Sequence, residues 1–577
     1  MMNKRLLFIK IILSMCFVIV IFRLGLIMFV EHEAYFAKAK IQQIKKEEIM
    51  PKRGNIYDRM GRELAISLEK DSLFVDPVSL KSFQTVNLLK HYVNVDEEQI
   101  EKLAEKRIRF LWLKRKIDSD LSEKIKSLKV EGVGVITEGA RFYPKGFLAS
   151  HVLGFVNVDE QGMEGLERQY DKYLRAERTL KTVSVDAKGK KLSDGSVGDV
   201  KGNDLFLTID EGLQYIVEKH IDEAVKKWQA SSATVIMMDP FTGEILALAN
   251  RPTYDPNNLK SIKNIGIIRN RAITDLYEPG STFKIVTATA ALEEGIVKPY
   301  TKFDCSQGYI EVGGKKIKDV HRNGVLTFEE VIQKSSNVGT IKIAMMLGRE
   351  KLYQFIKKFG FGEKTGIDLP GEISGYVRPI QKWSGTSIGA IPIGQEVGVT
   401  ALQILRAYSA IANGGYLVKP FVVSEVHSPD GNILYKSVIH REKIISDKTA
   451  KIMREILKKV TQEGGTATQA KLDGNDVAGK TGTAQKYDPK TRRYSRDRFV
   501  SSFVGFIPAD NPRIAMIVVI HDPKGAHYGG VVAAPVFKAI ADEALSYLNV
   551  PRDDAKQKGL VVTFDTQTTT RLTVARQ

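Results

Sequence analysis

The chain has few cysteines and no histidine spacing typical of a metal site. Its 577 residues include only two cysteines, Cys16 and Cys305, and Cys16 lies in an apolar N-terminal segment. We therefore expect no disulfide framework, and the cysteine content leaves the cellular compartment open. His321, His521 and His527 lack the H-E-x-x-H spacing of a helical zinc site. We expect surface or structural roles for them, with no metal and no cofactor.

Sequence signals for nucleic-acid binding are also missing. The formal charge is +18, and a basic chain can meet nucleic acid, anionic lipid or an acidic polymer. No zinc-finger or RNP-type motif is present, so a solvated basic surface is the expectation and nucleic acid is not an expected partner. Apolar residues make up 43% of the chain and charged residues 27%, which excludes wholesale disorder. The length predicts two or three domains.

A long apolar run lies near the N-terminus. Residues 11–30 are apolar except for Ser14, Arg23 and Gly25, and about 20 such residues cross one bilayer. Three basic residues precede the run, which predicts a cytoplasmic N-terminus at 1–10 and an extracytoplasmic remainder. We therefore predict a single-pass protein of the inner (cytoplasmic) cell membrane. A cleaved signal peptide is the alternative, disfavoured by the length of the run and the absence of a small-x-small site.

The second half of the chain predicts an α+β domain. A short strand at 205–209 leads to Asp210, a predicted N-cap of a helix with an apolar face. A strand, a Pro-Phe-Thr-Gly turn and a strand follow at 232–250. Three further strands are predicted at 477–485, 499–507 and 513–521, and an apolar helix at 533–548. Strands at both ends around a helical middle predict an antiparallel sheet sandwiched by helices.

A serine and a lysine are spaced for nucleophilic catalysis in Ser281-Thr-Phe-Lys284. Residues three apart share one face of a helix. A helix N-terminus and burial both disfavour a positive charge, so Lys284 can be neutral enough to take the serine proton. The pattern is short enough to arise by chance, as in Ser67-Leu-Glu-Lys70. Taken alone, it supports an activated nucleophile only as a hypothesis.

Two more motifs strengthen that hypothesis. Ser335-Ser-Asn337 begins another predicted helix, and Lys480-Thr-Gly-Thr483 lies on a predicted strand. The order Ser-x-x-Lys, Ser-x-Asn, Lys-Thr-Gly is typical of penicillin-binding proteins and class A β-lactamases. Gly482 suits an edge strand along which a substrate backbone lies.

The sequence resembles the class B penicillin-binding proteins over nearly its whole length, and among them the division-specific, FtsI-type branch. Beside the three motifs, the N-terminal half carries Arg53-Gly-Asn-Ile-Tyr-Asp-Arg59, with Met60 where asparagine is usual. Further matches are Arg141-Phe-Tyr-Pro144, His151-Val-Leu-Gly-Phe155, residues 162–167 and residues 270–280. No glycosyltransferase domain precedes these motifs, which argues against class A.

The resemblance implies a domain plan. A transmembrane helix at 11–30 is followed by a mixed α/β, dimerisation-type pedestal domain at 31–204. A serine β-lactamase-like transpeptidase domain follows at 205–548, and a polar tail at 549–577. Glu164 and Glu167 suggest a carboxylate pair, but we expect them to form salt bridges in the pedestal motifs.

The resemblance also implies the site. Ser281 is the expected nucleophile and Lys284 its base, with Ser335 and Lys480 relaying a proton and Asn337 holding the substrate amide. Thr481, Gly482 and Thr483 are expected to bind substrate, and the backbone N–H groups of Ser281 and Thr483 to form the oxyanion hole.

The implied reaction is D,D-transpeptidation of peptidoglycan in septal wall synthesis during cell division. The implied partners are stem peptides on a lipid-linked precursor or nascent glycan, β-lactam antibiotics, an FtsW-type glycosyltransferase and other membrane proteins of the divisome.

Several alternatives stay open. An elongation-type class B enzyme carries the same motifs. A serine β-lactamase or β-lactam sensor is disfavoured by the anchor, by the pedestal and by the absence of a Glu-x-x-Leu-Asn segment between Asn337 and Lys480. A D,D-carboxypeptidase is disfavoured by the class B motifs, and an inactive scaffold by three intact motifs. The basic stretch at 486–498 predicts an exposed hairpin, with contact to anionic wall material as a weaker alternative.

Overall fold

The computed structural model describes residues 2–49, 51–80, 89–94, 96–176, 179–185, 191–193, 201–488, 490–491 and 493–552. The chain divides into two compact units. The first is formed by Met1–Arg53, Glu69–Gly139 and Arg175–Gly202. The second is formed by Gly54–Leu68, Ala140–Leu174 and Asn203–Gln577, and it holds all the predicted site residues.

The first unit begins with an apolar helix, Met2–Gly25, which continues as a π-helical turn at Leu26–Val30. The segment Lys4–Val30 is long and apolar enough to cross a membrane, with a mean hydropathy of 2.7, and it includes the predicted 11–30. The unit's other helices are His32–Gln43, Glu97–Glu105 and Ser119–Ser127, and its other strands are Ile44–Ile49, Leu111–Ile117, Thr179–Val185 and Lys191–Ser193. Strands Glu63–Val75 and Val133–Phe142 each have one end in this unit.

A small core holds the pedestal part of the first unit together. Leu73 and Val75 pack with Ile100, Ile117 and Ile125, all at most 5% exposed. The pairing of Leu73 with Lys114 and of Val75 with Leu111 joins the two strands that carry this apolar face. This unit contains none of the predicted catalytic residues.

The second unit is built on a five-stranded antiparallel sheet. Its strands are β1 (Ser232–Met238), β2 (Ile245–Arg251), β3 (Ala478–Asp488), β4 (Arg493–Ile507) and β5 (Ile514–His521). Their order across the sheet is β2-β1-β5-β4-β3, so β3, which carries the Lys-Thr-Gly motif, is an edge strand. The longer helices are α1 (Glu211–Trp228), α2 (Lys284–Glu293), α3 (Asn337–Leu347), α4 (Ala401–Ala412), α5 (Asp447–Thr461) and α6 (Ala534–Tyr547).

Shorter elements complete the second unit. Its further α-helices are Ser150–Leu153, Gly165–Gln169, Asp171–Leu174, Arg271–Thr274, Phe328–Gln333, Arg349–Lys358, Ser387–Ala390 and Gly529–Val532. Its 3₁₀ helices are Leu259–Ser261, Ile265–Ile267, Gly280–Phe283, Ile380–Lys382, Ile391–Ile393 and Thr468–Ala470. Its further strands are Ile56–Tyr57, Phe155–Val156, Gly162–Glu164, Asp204–Leu207, Lys302–Asp304, Tyr309–Val312, Lys315–Lys318, Val325–Thr327, Tyr376–Val377, Val397–Gly398, Tyr416–Val418, Val423–His427, Ile433–Lys436 and Arg441–Lys443.

The sheet is buried on both faces. Successive side chains of a strand point to opposite faces, so neighbouring residues belong to different cores. Val235 and Met237 of β1 belong to a core that includes residues of α1 and α6. Ile236 and Met238, which alternate with them, belong to a second core that includes residues of α2 and α4. The predicted α+β fold, an antiparallel sheet sandwiched by helices, is confirmed.

Local signals place the elements well. The Asp210 carboxylate accepts hydrogen bonds from the N–H groups of Gly212 and Leu213, so it is the predicted N-cap of α1. The predicted 232–250 hairpin is β1 and β2, and the three late strands are β3, β4 and β5. Residues 553–577 of the predicted tail lie outside the described part of the chain.

Glu164 and Glu167 form salt bridges, as expected. Arg141 Nε lies 2.5 Å from Glu167 Oε1, and their side chains are 1% and 0% exposed. Arg141 Nη1 also donates to the Gly54 carbonyl at 2.7 Å. Glu164 is paired instead with Arg168, at 3.8 Å. The buried pair joins segments distant in sequence within the second unit.

Candidate active site

The Ser281 turn is a tight one held from several sides. Gly280–Phe283 is a 3₁₀ helix that leads directly into α2 at Lys284. Gly280 has φ +56°, a left-handed conformation that side chains disfavour. Its N–H donates to the Gly394 carbonyl at 3.2 Å, and the buried Tyr408 hydroxyl donates to the Thr282 carbonyl at 2.9 Å. The serine is therefore fixed at the point where the chain enters an apolar helix.

The Lys284 amine is fully buried and faces the second motif. Its Nζ donates to the Ser335 carbonyl at 2.6 Å and lies 3.2 Å from Ser335 Oγ. Burial lowers the pKa of Lys284 to about 7, and the charge of Asp319 opposes that shift. A large fraction of this amine is therefore neutral near pH 7 and able to accept a proton.

Ser335 has a strained backbone. Its φ is +59°, which is uncommon for a residue with a side chain. The strain turns both the carbonyl and the hydroxyl of Ser335 toward Lys284. Among the described residues, Ser281 has no side-chain hydrogen bond, so the amine contacts the second serine rather than the first. Catalytic hydrogen bonds commonly tighten only when substrate is bound.

Asp319 organises the Ser-x-Asn segment, and sequence reasoning missed it. Its carboxylate accepts from Ser336 Oγ at 2.7 Å and from the N–H groups of Asn337 and Val338 at the start of α3. Ser336 is the N-cap of that helix, and its hydroxyl accepts from the Gly339 N–H. A negative charge is stabilised at a helix N-terminus. No local pattern could have marked Asp319, because the strand Val325–Thr327 and the helix Phe328–Gln333 separate it from the motif.

Asn337 and Lys480 lie on different elements, the α3 N-terminus and the strand β3. Asn337 Nδ2 donates to the Lys318 carbonyl at 2.8 Å, which leaves its side-chain oxygen available. Lys480 is fully buried on β3, with Nζ at 3.4 Å from the Thr481 carbonyl oxygen. Burial lowers the pKa of Lys480 well below its usual range, and the charge of Lys284 lowers it further. Two neighbouring buried amines disfavour each other's protonation.

The threonines of the third motif have partners in this structure. Thr481 Oγ1 lies 3.0 Å from Thr466 Oγ1, and Thr483 Oγ1 accepts from the Gly529 N–H at 3.0 Å. These contacts hold the edge strand against the segments beside it. Substrate binding by the two hydroxyls stays a prediction.

Gly482 has a packing role beyond the one expected. A Cβ at this position would lie 2.3 Å from Ser502 Oγ and 2.9 Å from the Pro279 carbonyl oxygen. The missing side chain therefore lets β3 pack directly against the turn that carries the nucleophile. The sequence argument considered only the approach of a substrate.

The predicted hairpin after the third motif is formed by β3 and β4, but it is not uniformly exposed. Lys486 lies at its base, where Nζ contacts Asp522 at 2.6 Å. His521 is buried, and burial lowers its pKa to about 4. The ring of His527 stacks on Phe499 with centroids 4.1 Å apart. The described residues contain no group of three or more His, Cys, Asp or Glu side chains suited to a metal ion.

Comparison with known proteins agrees with this arrangement. Residues 233–542 match the penicillin binding protein transpeptidase domain, and residues 48–207 match the penicillin-binding protein dimerisation domain. The chain is 37% identical to stage V sporulation protein D of Bacillus subtilis over 569 residues, which cover 96% of this chain and 88% of that protein. The chain belongs to the class B penicillin-binding proteins. It is a serine-type peptidoglycan D,D-transpeptidase, as its family membership establishes.

Other relatives of this class B penicillin-binding protein support the assignment. It is 34% identical to the peptidoglycan D,D-transpeptidase FtsI of Escherichia coli over 523 residues, covering 89% of this chain and 86% of that protein. The crystal structure of penicillin binding protein 3 from Mycobacterium tuberculosis with aztreonam matches it with a TM-score of 0.68 and 30% identity. That match covers 88% of this chain and 98% of the other.

Proposed function

We propose that this transpeptidase crosslinks stem peptides at the division septum through an acyl-enzyme on Ser281. The observation that carries the residue assignment is the fully buried Lys284, whose pKa of about 7 makes it a base at working pH. It lies on the same helical turn as Ser281 and in hydrogen-bond contact with Ser335. A general base is most effective when its pKa lies near the operating pH.

In the first step, Ser281 Oγ attacks the carbonyl carbon of the penultimate D-alanine. Neutral Lys284 accepts the hydroxyl proton, directly or through Ser335 Oγ, as the C–O bond forms. The backbone N–H groups of Ser281 and Thr483 stabilise the oxyanion. When the C–N bond breaks, Ser335 returns a proton to the leaving amine, assisted by Lys480, and the terminal D-alanine departs.

Substrate is held by the edge strand and the α3 N-terminus. Lys480 supplies positive potential, and Thr481 and Thr483 hydrogen-bond the C-terminal carboxylate. Gly482 keeps the strand close to the nucleophile turn, and Asn337 holds the substrate amide. An amine from a neighbouring stem peptide then attacks the acyl carbon, which forms the crosslink and regenerates Ser281. A β-lactam acylates the same serine, and the acceptor amine does not attack the resulting acyl-enzyme.

We also propose the domain plan and membrane placement expected from the sequence. The segment 11–30 anchors the chain in the cytoplasmic membrane with 1–10 inside. The pedestal at 31–204 and the transpeptidase domain at 205–548 stand outside, followed by the tail at 549–577. The anchor and pedestal are suited to binding an FtsW-type glycosyltransferase and other divisome proteins. Support comes from the apolar Lys4–Val30 helix and from the resemblance to FtsI.

A second candidate role is wall synthesis outside the ordinary division septum. Its support is the similarity to a protein named for a stage of sporulation, at 37% identity. Imaging of a tagged chain separates the two roles. Enrichment at midcell with filamentation on depletion is expected for the septal role. Even distribution along the wall, or appearance only during spore formation, would contradict it.

The residue assignment is tested with a fluorescent penicillin and the full-length chain in detergent. Wild-type protein should form a covalent adduct that survives a denaturing gel, and Ser281→Ala should form none. The adduct should persist for many minutes. Rapid loss of label from the wild type would favour a β-lactamase-like hydrolase, and an adduct on Ser281→Ala would refute the nucleophile.

A further inference from the structure

A cavity of about 1050 Å³ adjoins the catalytic motifs without including any of their residues. One lining segment, Asp275–Glu278, ends three residues before Ser281. Another, Glu396–Gly398, follows Gly394, whose carbonyl accepts the Gly280 N–H at 3.2 Å. A third, Ala484–Tyr487, continues β3 directly beyond Thr483. The cavity therefore shares its backbone with the nucleophile turn and with the edge strand.

The wall beside the nucleophile turn is acidic. Glu278 Oε1 accepts from the Glu396 N–H at 3.0 Å and from the Tyr494 hydroxyl at 3.1 Å. Glu396 lies 3.5 Å from Arg378, the one cation paired with these two carboxylates in the described chain. Burial raises the pKa of Glu278, and a bound ammonium group would reverse that effect. This wall is suited to a cation.

A second part of the lining, formed by Arg271, Asp275, Lys486, Arg498 and Asp522, is the basic wall. Lys486 and Arg498 share one carboxylate, Asp522, at 2.6 and 3.3 Å. Arg271 is paired with Asp275 at 2.7 Å. The charge of Asp275 also acts on Lys486, so the two pairs lie close together. Three cations thus face two carboxylates on this wall, which leaves an excess of one positive charge.

Two buried donors on the basic wall lack an acceptor. The hydroxyl of Tyr277 and the Nε of Arg271 have no hydrogen-bond partner among the described residues. Tyr277 is 7% exposed, and its ring lies against that of His521 with centroids 6.2 Å apart. Buried donors in folded proteins are almost always paired. A ligand with a carboxylate would satisfy both groups and balance the charge.

We propose that this cavity binds the acceptor stem peptide and fits a side chain ending in a zwitterionic amino acid group, as diaminopimelate does. This inference rests on the proposed transpeptidase function. The acidic wall draws the ammonium group toward the acylated Ser281, and the basic wall with Tyr277 and Arg271 holds the carboxylate. A lysine side chain, which has an amine but no carboxylate, leaves the basic wall unpaired.

The assigned step balances without a further reagent. The acceptor amine, once deprotonated, forms an N–C bond to the acyl carbon as the bond from that carbon to Ser281 Oγ breaks. One amine proton passes to the serine oxygen through Lys284. Glu278, next to the nucleophile turn, is placed to take the proton that converts the ammonium group to the attacking amine.

Binding tests the cavity without depending on acylation. Calorimetry on the full-length Ser281→Ala chain in detergent uses three tripeptides that carry diaminopimelate, its ω-carboxamide or lysine. The diaminopimelate peptide should bind about tenfold tighter than either of the others, because a hydrogen-bonded buried charge supplies the difference. Tyr277→Phe and Lys486→Met, each added to this background, should reduce that preference to about threefold or less. Lys436→Met, which changes a lysine that is 69% exposed, should preserve it.

Two results would overturn the proposal: equal affinity for the three peptides, or a preference that survives both cavity substitutions. Penicillin labelling of the wild type distinguishes failure of the cavity proposal from failure of the transpeptidase function. If the Ser281→Ala chain prefers diaminopimelate but wild type forms no penicillin adduct, the transpeptidase assignment of Ser281 fails while the cavity assignment stands. If wild type forms adducts but the Ser281→Ala chain binds the three peptides with equal affinity, the cavity assignment fails alone.

Discussion

At the scale of single residues, the proposed mechanism depends on a lysine whose pKa is lowered by burial. Among the residues that the structure describes, no carboxylate is in hydrogen-bond contact with Lys284, and its Nζ hydrogen-bonds only the carbonyl and hydroxyl of Ser335. An ammonium in such surroundings is disfavoured, because hydrogen bonds to neutral oxygens do not replace full hydration. The same burial that makes the residue costly to protonate makes it a usable base.

This predicts the pH dependence of acylation. The pKa of Lys284 is lowered to about 7, and the reactive form is the unprotonated amine. The second-order rate of penicillin acylation should therefore rise about tenfold per pH unit below 7 and level off above 8. Stopped-flow labelling from pH 5 to 9 measures it. A flat profile would show that Lys284 is not the base.

Asp319 offers a second test at the same scale. It favours the charged form of Lys284, so Asp319→Asn should move the midpoint of the acylation profile to lower pH. Loss of its bonds to the start of α3 should also lower the plateau rate by about tenfold. Asp304→Asn, at an exposed carboxylate, is the control and should leave both unchanged. An unshifted midpoint would restrict Asp319 to a structural role.

Residue-level predictions from the sequence were good where the signal was local. Lys284 was expected to be buried at a helix start, and it lies fully buried at the first residue of α2. Asp319, Tyr408 and Gly394 were missed, because each acts on a motif far away in the chain. A motif identifies the reacting groups. The residues that position those groups come from distant parts of the chain, which only the tertiary fold brings close.

At the scale of elements, the contact between β3 and the nucleophile turn sets the geometry of the cleft. Gly482→Ala should lower the acylation rate by about 10- to 100-fold, because the Cβ would meet the Pro279 carbonyl and Ser502. The thermal midpoint should change much less than the rate. Gly324→Ala is the matched control, since its Cβ would meet nothing within 4 Å. Unchanged kinetics for Gly482→Ala would mean that this close packing is not needed.

The bounds of elements with strong periodicity were predicted closely from the sequence. The order of the strands across the sheet was not predicted. The strands β3, β4 and β5 were expected within a few residues of where they lie, except that β4 begins at Arg493 rather than near 499. However, no local sequence pattern predicted that β5 lies between β1 and β4. Sheet order depends on long-range pairing, which the alternation of one strand does not encode.

The buried Arg141–Glu167 pair gives a prediction at the element scale. Arg141→Ala should lower the free energy of unfolding by roughly 3–5 kcal/mol, because it removes the guanidinium group that balances the charge of the buried Glu167 carboxylate. The paired variant Arg141→Met with Glu167→Leu should recover much of that loss. Thermal melting of the three proteins in one detergent measures both. Equal losses in the single and the paired variant would contradict the charge argument.

At the scale of the whole molecule, the apolar N-terminal helix is the proposed membrane anchor. Deleting residues 1–30 should move the chain from the membrane pellet to the soluble fraction after cell lysis, while fluorescent penicillin still labels it. The intact mass of the full-length protein purified from membranes should include residues 1–30. A mature chain that starts beyond residue 30 would show a cleaved signal peptide instead.

The two buried lysines, Lys284 and Lys480, have a consequence for binding thermodynamics. Burial lowers both pKa values, and the charge of Lys284 lowers the pKa of Lys480 further. A ligand carboxylate placed beside Lys480 favours its protonated form, so the protein should take up a proton from the buffer as the ligand binds. Calorimetric heats for a β-lactam on Ser281→Ala should then change with the ionisation enthalpy of the buffer. The fold thus makes recognition of the substrate a proton-consuming event before any bond is broken.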